Sequence, residues 1–299
     1  EINAGIGATN SRFGCSRLRY DVLAHQPDLI VIEYAVNDDP AEPTSLKRSF
    51  EGLVRQSLSY HPDVAVIILL FCANYADNTT QLMHTAIARH YGLPVVSYRD
   101  AIWPLIQSNQ IPWDSVAADV WHPNDRGHKV CATYLYESLR AHDALLNGSI
   151  GRKLALPLPL HAQPYSDARL FFHNDTCLTI QTNEGWVQIP QERWILNCAS
   201  KSYTVAGFSS DSLDEQITFT FVGTELSLGY YKSKNLTSMV EVSLNGLVID
   251  TLRSYFENDW GPGYMKMHTL IDENQDRVQV TLRNITGGNF EVMSLMYAL

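Results

Sequence analysis

Apolar residues follow two different rhythms along this chain, and the change comes near its middle. In the first half, Pro27–Tyr34 contains Leu29-Ile30-Val31-Ile32, and Val64–Ala73 is uncharged and almost wholly apolar. Short continuous runs of this kind suit strands buried on both faces, as in a parallel sheet. Between them, Ser45–Tyr60 repeats apolar residues at helical spacing through Leu46, Phe50, Leu53, Val54 and Leu58. The same spacing predicts helices from about Arg12 to His25, over Gln81–Tyr91, and from about Asn124 to His142 with a stripe through Val130, Tyr134, Leu135 and Leu139. Leu93–Tyr98 reads as another short strand, and the Trp- and Pro-rich stretch from Trp103 to Trp113 as turns. Strands alternating with helices imply a parallel α/β sheet with right-handed crossovers.

Beyond residue 168 the period becomes two. Gln216–Gly223, Glu225–Tyr231, Met239–Gly246, Arg277–Leu282 and Phe290–Leu295 alternate apolar and polar positions, and Asn245-Gly246 between two apolar triplets is a strong hairpin signal. That pattern predicts an all-β sandwich of jelly-roll type. Residues 146–168, with Pro157 and Pro159, read as an extended linker. The expected organisation is therefore an α/β domain over 1–145, a linker over 146–168 and a β-sandwich over 169–299.

Composition narrows the functional classes. The formal charge is −10 and no Lys/Arg cluster occurs, which argues against nucleic-acid and anionic-membrane partners. The longest apolar run is too short to span a bilayer. Five dispersed cysteines, without a C-x-x-C pair, indicate neither a metal site nor a disulfide framework; free thiols point to a cytoplasmic setting.

Three stretches carry candidate chemistry. Gly5-Ile6-Gly7-Ala8 forms a Gly-rich turn before a helix, reading Glu1–Ala4 as the end of a strand; such turns expose backbone N–H groups to an anion. Asn37 follows the strand ending at Tyr34, and ligands of open parallel sheets sit beyond the carboxyl ends of strands. Asp119-Val120-Trp121-His122 places a carboxylate three residues before an imidazole, close enough to fix its tautomer and leave the other nitrogen free as a base. Each has a plainer reading, as a tight turn, a capping Asn or a solvated loop.

In that order the three stretches resemble the SGNH (GDSL-like) hydrolases, flavodoxin-like three-layer α/β/α esterases that include many carbohydrate acetylesterases. The resemblance covers residues 1 to about 145. It implies His122 as general base and Asp119 as its orienting partner, with oxyanion donors from the Asn37 side chain and from the backbone of Gly7 or Ala8. Ala35 stands where the family usually has Gly. The second half is similar to β-sandwich modules appended to such esterases, which makes its Trp186, Trp260 and Tyr264 candidate sugar contacts; Trp121, between Asp119 and His122, is a further candidate substrate contact. The implied substrate is an acylated, in particular acetylated, carbohydrate, with no metal or cofactor required. A non-catalytic carbohydrate-binding protein and a lipid acylhydrolase are the rival readings, and self-association is left open.

The family's nucleophilic Ser precedes the Gly-rich turn on a strand that lies between the strand before that turn and Asp28–Tyr34. This chain has no residues for it, so the expectation is that an upstream segment supplies both strand and Ser.

Overall fold

A computed structural model describes residues 1–39, 43–61, 63–74, 79–146, 155–162, 165–171, 176–189, 207–257 and 263–299. By their contacts these residues form two compact units, 26–164 and 1–25 together with 165–299.

The first helix is α1 (Ser11–Asp21), capped by the Asn10 side chain, which accepts from the Phe13 N–H. Residues 1–10 before it form no strand, contrary to the sequence reading of Glu1–Ala4. A strand exists only when a neighbour accepts and donates along its edge, and none does so here among the described residues.

In the unit 26–164, β1 (Leu29–Ile32), α2 (Pro43–Tyr60), β2 (Ala65–Leu70), α3 (Thr79–His90) and β3 (Val95–Ser97) alternate as expected. The strands are parallel in the order β1-β2-β3, with Ile32 level with Ile68 and Ile68 level with Val95. A helix, α4 (Tyr98–Gln107), then occupies part of the stretch read as turns. Its Pro104 lacks an N–H and masks the helix in sequence, yet near the helix end one lost bond is tolerated. The last helix is α5 (Asp125–Leu146), whose N-cap Asn124 accepts from the Gly127 N–H at 3.0 Å.

The β unit runs through β4 (Arg169–Leu170), β5 (Leu178–Glu184), β6 (Val187–Ile189), β7 (Gly207–Ser210), β8 (Gln216–Gly223), β9 (Glu225–Lys232), β10 (Met239–Leu244), β11 (Leu247–Arg253), β12 (Tyr264–Ile271), β13 (Gln275–Asn284) and β14 (Phe290–Ala298). One antiparallel sheet has the order β11-β10-β13-β8-β5, the other β12-β9-β14-β7-β6 with β4 on β14. Phe219, Phe221, Val240, Val280, Leu228 and Phe290 are among the buried residues of their common core. The hairpin at Asn245-Gly246 forms as the sequence requires: both residues have positive φ, and Leu244 pairs with Leu247.

The contacts draw the unit boundary differently from the sequence reading of 1–145. Phe13 of α1 is buried with Leu170, Met265, Met267, Met293 and Met296, and the Cys15 thiol bonds the Tyr165 carbonyl at 3.1 Å. The helix that follows the Gly-rich turn is thus built onto the β unit. Methionine, unbranched and polarisable, suits such an irregular helix-on-sheet contact.

Candidate active site

Asp119 and His122 meet as their spacing predicts. Asp119 Oδ2 lies 2.8 Å from His122 Nδ1, while Asp119 Oδ1 accepts the backbone N–H groups of Trp121 (2.7 Å) and His122 (2.8 Å). One carboxylate therefore folds the loop and orients the ring. The hydrogen bonds from His122 and from the two amides pull the Asp119 carboxyl down to about 2, so it stays ionised wherever the imidazole is neutral. With Nδ1 committed to Asp119, Nε2 has no partner among the described residues, and the ring is solvent-exposed.

The rest of the loop is pinned from below. Trp113 Nε1 donates to the Asp119 carbonyl at 2.6 Å, the Ala118 N–H to the His122 carbonyl at 2.8 Å, and the Asn124 N–H to the Val116 carbonyl at 3.2 Å. Gly127, on the first turn of α5, sits so close that a Cβ there would lie 2.0 Å from the Val116 carbonyl oxygen. Sequence reasoning picked the dyad but not Trp113, Asn124 or Gly127, whose roles depend on this tertiary contact.

Asn37 occupies a turn beyond the carboxyl end of β1. The Asn37 and Asp38 N–H groups both donate to the Tyr34 carbonyl, at 3.2 and 2.9 Å. Asn37 itself is exposed, and its side-chain amide makes no hydrogen bond among the described residues. Ala35 is buried, which explains why a small residue is needed there. Glu33 stitches the turn to β2: its Oε1 accepts from Ala35 N–H (2.9 Å) and Phe71 N–H (3.4 Å). Burial pushes the Glu33 carboxyl up to about 7, and the charge on Asp38 adds to this against the lowering by the backbone donors. Three residues past Phe71, the Asn74 N–H donates to the Val120 carbonyl at 2.9 Å. The Asn37 turn and the dyad loop are therefore both tied to the extension of β2, on the sheet rim where α/β proteins place their ligands.

The other predicted residues fall as follows. Trp121 is half-exposed beside the dyad. Gly7 and Ala8 form a turn in the unit that contains α1, with Ala8 in the left-handed region at φ 57°, a conformation that non-glycine residues seldom adopt. Tyr264 is the first residue of β12, paired with Lys232 and set edge-on to Phe256 at 4.6 Å. Trp260 lies outside the described residues. Trp186, another aromatic candidate, is buried in the sandwich core. Ser11 is fully buried and Ser16 Oγ bonds back to the Arg12 carbonyl inside α1, so neither is presented as a nucleophile. Among the described residues no group of His, Cys, Asp and Glu is arranged to hold a metal ion, and no helix is long and apolar enough to cross a membrane.

Comparison with known proteins bears on the fold and the reaction class. Residues 1–130 match the model of the GDSL-like Lipase/Acylhydrolase family. Across 99% of its length the chain is similar to a two-domain esterase active on acetylated mannans, with 27% identity, a TM-score of 0.86 and 80% of that chain covered. The same esterase co-crystallised with mannopentaose gives 28% identity, a TM-score of 0.84 and 79% coverage. No curated protein sequence matches. The parallel sheet and these likenesses make residues 1–130 similar to the GDSL-like lipase/acylhydrolase family, and the chain a carboxylic ester hydrolase.

Proposed function

We propose that this protein removes acetyl groups from a carbohydrate by serine-ester chemistry, with a mannan-type polysaccharide as the substrate class. The observation that carries the reading is the Asp119–His122 pair, which holds one imidazole nitrogen and leaves Nε2 open at the rim that also bears Asn37. In the proposed reaction a serine Oγ attacks the acetyl carbonyl while Nε2 of His122 takes its proton. The carbonyl electrons move onto oxygen, where the Asn37 amide donates to the oxyanion. The intermediate collapses, the sugar hydroxyl leaves with the proton from His122, and water releases acetate from the acyl-enzyme by the same steps. The acetylated sugar is inferred from the similarity to the acetylmannan-active esterase.

The nucleophile is proposed to come from a segment upstream of Glu1. Three features support this. Strand β1 is hydrogen-bonded along only one edge among the described residues. Its Leu29 and Val31 are 39% and 41% exposed, although parallel strands are normally covered on both faces. Tyr134 and Leu139, on the apolar stripe of α5, are also left exposed. A strand and helix added beside β1 would cover such surfaces and bring a serine to the same rim.

The test compares this 299-residue chain with an N-terminally extended one, using 4-nitrophenyl acetate and acetylated mannan. Hydrolysis by the extended chain alone supports the proposal. Full activity in the 299-residue chain would overturn the upstream nucleophile. Inactivity of both with glycan binding intact would favour a binding protein, and hydrolysis of long-chain esters but not acetyl-mannan would favour a lipid acylhydrolase.

A further inference from the structure

One buried polar pair in the α/β unit is not used by the reaction above. Asp38, the residue after Asn37, turns its side chain inward and meets Nε2 of His84 on α3, with Oδ2 at 2.8 Å; both side chains are fully buried. Thr80, also on α3, donates its hydroxyl to the Asp38 carbonyl at 3.1 Å. The His84 ring stacks on Phe50 of α2, centroids 3.7 Å apart and planes within 12°. The residue after Asn37 is thus fastened to α3 through both its side chain and its main chain, and Phe50 of α2 backs the His84 ring.

The second ring nitrogen settles the tautomer. His84 Nδ1 is buried and has no hydrogen-bond partner among the described residues. A proton there would be a buried donor without an acceptor, which costs about 1–3 kcal/mol. The proton therefore resides on Nε2 and is donated to the Asp38 carboxylate, a charge-assisted bond between two fully buried side chains.

We infer that the Asp38–His84 pair is a positioning device, holding the Asn37 turn in the geometry that presents its amide to the oxyanion. The inference rests on the oxyanion role proposed for Asn37. A preformed donor accelerates a reaction only if it does not have to be reorganised as charge develops. Asn37 itself is exposed and makes no side-chain bond among the described residues that would fix it, so its placement is inherited from the turn. That turn is closed by the two bonds to the Tyr34 carbonyl and anchored through Asp38. In this scheme His84 touches no substrate and acts only through Asp38.

The experiment uses the full-length protein and four variants: His84→Phe, which keeps the stack but removes the donor, His84→Gln, whose amide nitrogen reaches a similar position, Asn37→Ala, and Asn37→Ala with His84→Phe. Steady-state kinetics on 4-nitrophenyl acetate are combined with hydrogen exchange at the Asp38 amide, using the Ile68 amide in β2 as internal reference. His84→Phe is expected to lower kcat roughly 10- to 100-fold, a part of the roughly 10²–10³ carried by one oxyanion donor. KM should change little, and His84→Gln should recover most of the loss. In the Asn37→Ala background His84→Phe should cost less than about twofold, because the two residues act as one unit. The Asp38 amide should exchange at least about tenfold faster in His84→Phe while Ile68 is unchanged. A full additional loss on top of Asn37→Ala, or equal loosening at Asp38 and Ile68, would overturn the positioning role. If Asn37→Ala alone keeps kcat, the oxyanion reading fails instead, and unchanged exchange at Asp38 in His84→Phe would then refute the brace as well. Should His84→Phe not fold, the exchange and kcat of His84→Gln decide: near-wild-type values support the brace, while values like those of Asn37→Ala overturn it.

Discussion

Replacing Glu33 by Gln tests how the rim of the sheet is held together. Gln keeps a carbonyl oxygen for the Ala35 and Phe71 amides but cannot ionise. The carboxyl is raised from its ordinary 4.5 to about 7, chiefly by burial. A group raised on folding contributes stability that is fully present below its unfolded pKa and is lost as pH rises through the folded one. The window is therefore about pH 4.5 to 7. At about 1.4 kcal/mol per pH unit, the loss reaches at most about 3 kcal/mol once Glu33 is ionised in both states. The assay is hydrogen-exchange protection of the β2 amides in wild type and Glu33→Gln at matched pH. The two proteins should be nearly equal at pH 4, below the unfolded pKa, and wild type should be weaker by up to about 3 kcal/mol at pH 8. A difference independent of pH, or one that favours wild type at pH 8, would refute the reasoning.

Other expectations follow from single contacts. Gly127→Ala drives a Cβ to 2.0 Å from a backbone oxygen, and should cost about 1–3 kcal/mol or more and loosen the dyad loop, read as a lower Tm and a faster-exchanging Asn124 amide. Asp119→Asn keeps the loop bonds but no longer selects the imidazole tautomer, so kcat should fall on the order of 10³–10⁴ with little change in KM. Glu51 is a fully buried carboxylate that accepts from Tyr91 OH, from the Leu160 and His161 amides, and from the His161 ring. Glu51→Ala should release the 155–162 strap and make it the first site of limited proteolysis, while near-wild-type resistance would show that the strap is held otherwise.

The α/β half was legible where burial is written into composition, as the apolar runs at Leu29–Ile32 and Ala65–Leu70 became strands, and in the β half Asn245-Gly246 made its hairpin. The dyad was legible because it is local, with only Val120 and Trp121 between Asp119 and His122. What depends on partners far along the chain was not. Asp38 and His84 lie 46 residues apart, and nothing in either segment announces the other. Glu33 was not singled out either, because its bond to the Phe71 amide depends on β2 lying beside β1. Strand β12 was missed because Lys266 and His268 alternate with Met265 and Met267, and methionine favours no strand. The expected strand at Glu1–Ala4 failed for a different reason, since an edge without a neighbour has no pattern to complete.

The central proposal is that His122, oriented by Asp119, activates a serine supplied from outside residues 1–299. Labelling the full-length protein with a fluorophosphonate and locating the adduct by mass spectrometry tests it directly. The account predicts one modified serine upstream of Glu1, with labelling slowed at least about 100-fold by His122→Ala. A modified serine within the 299 residues, or labelling indifferent to His122, would contradict it.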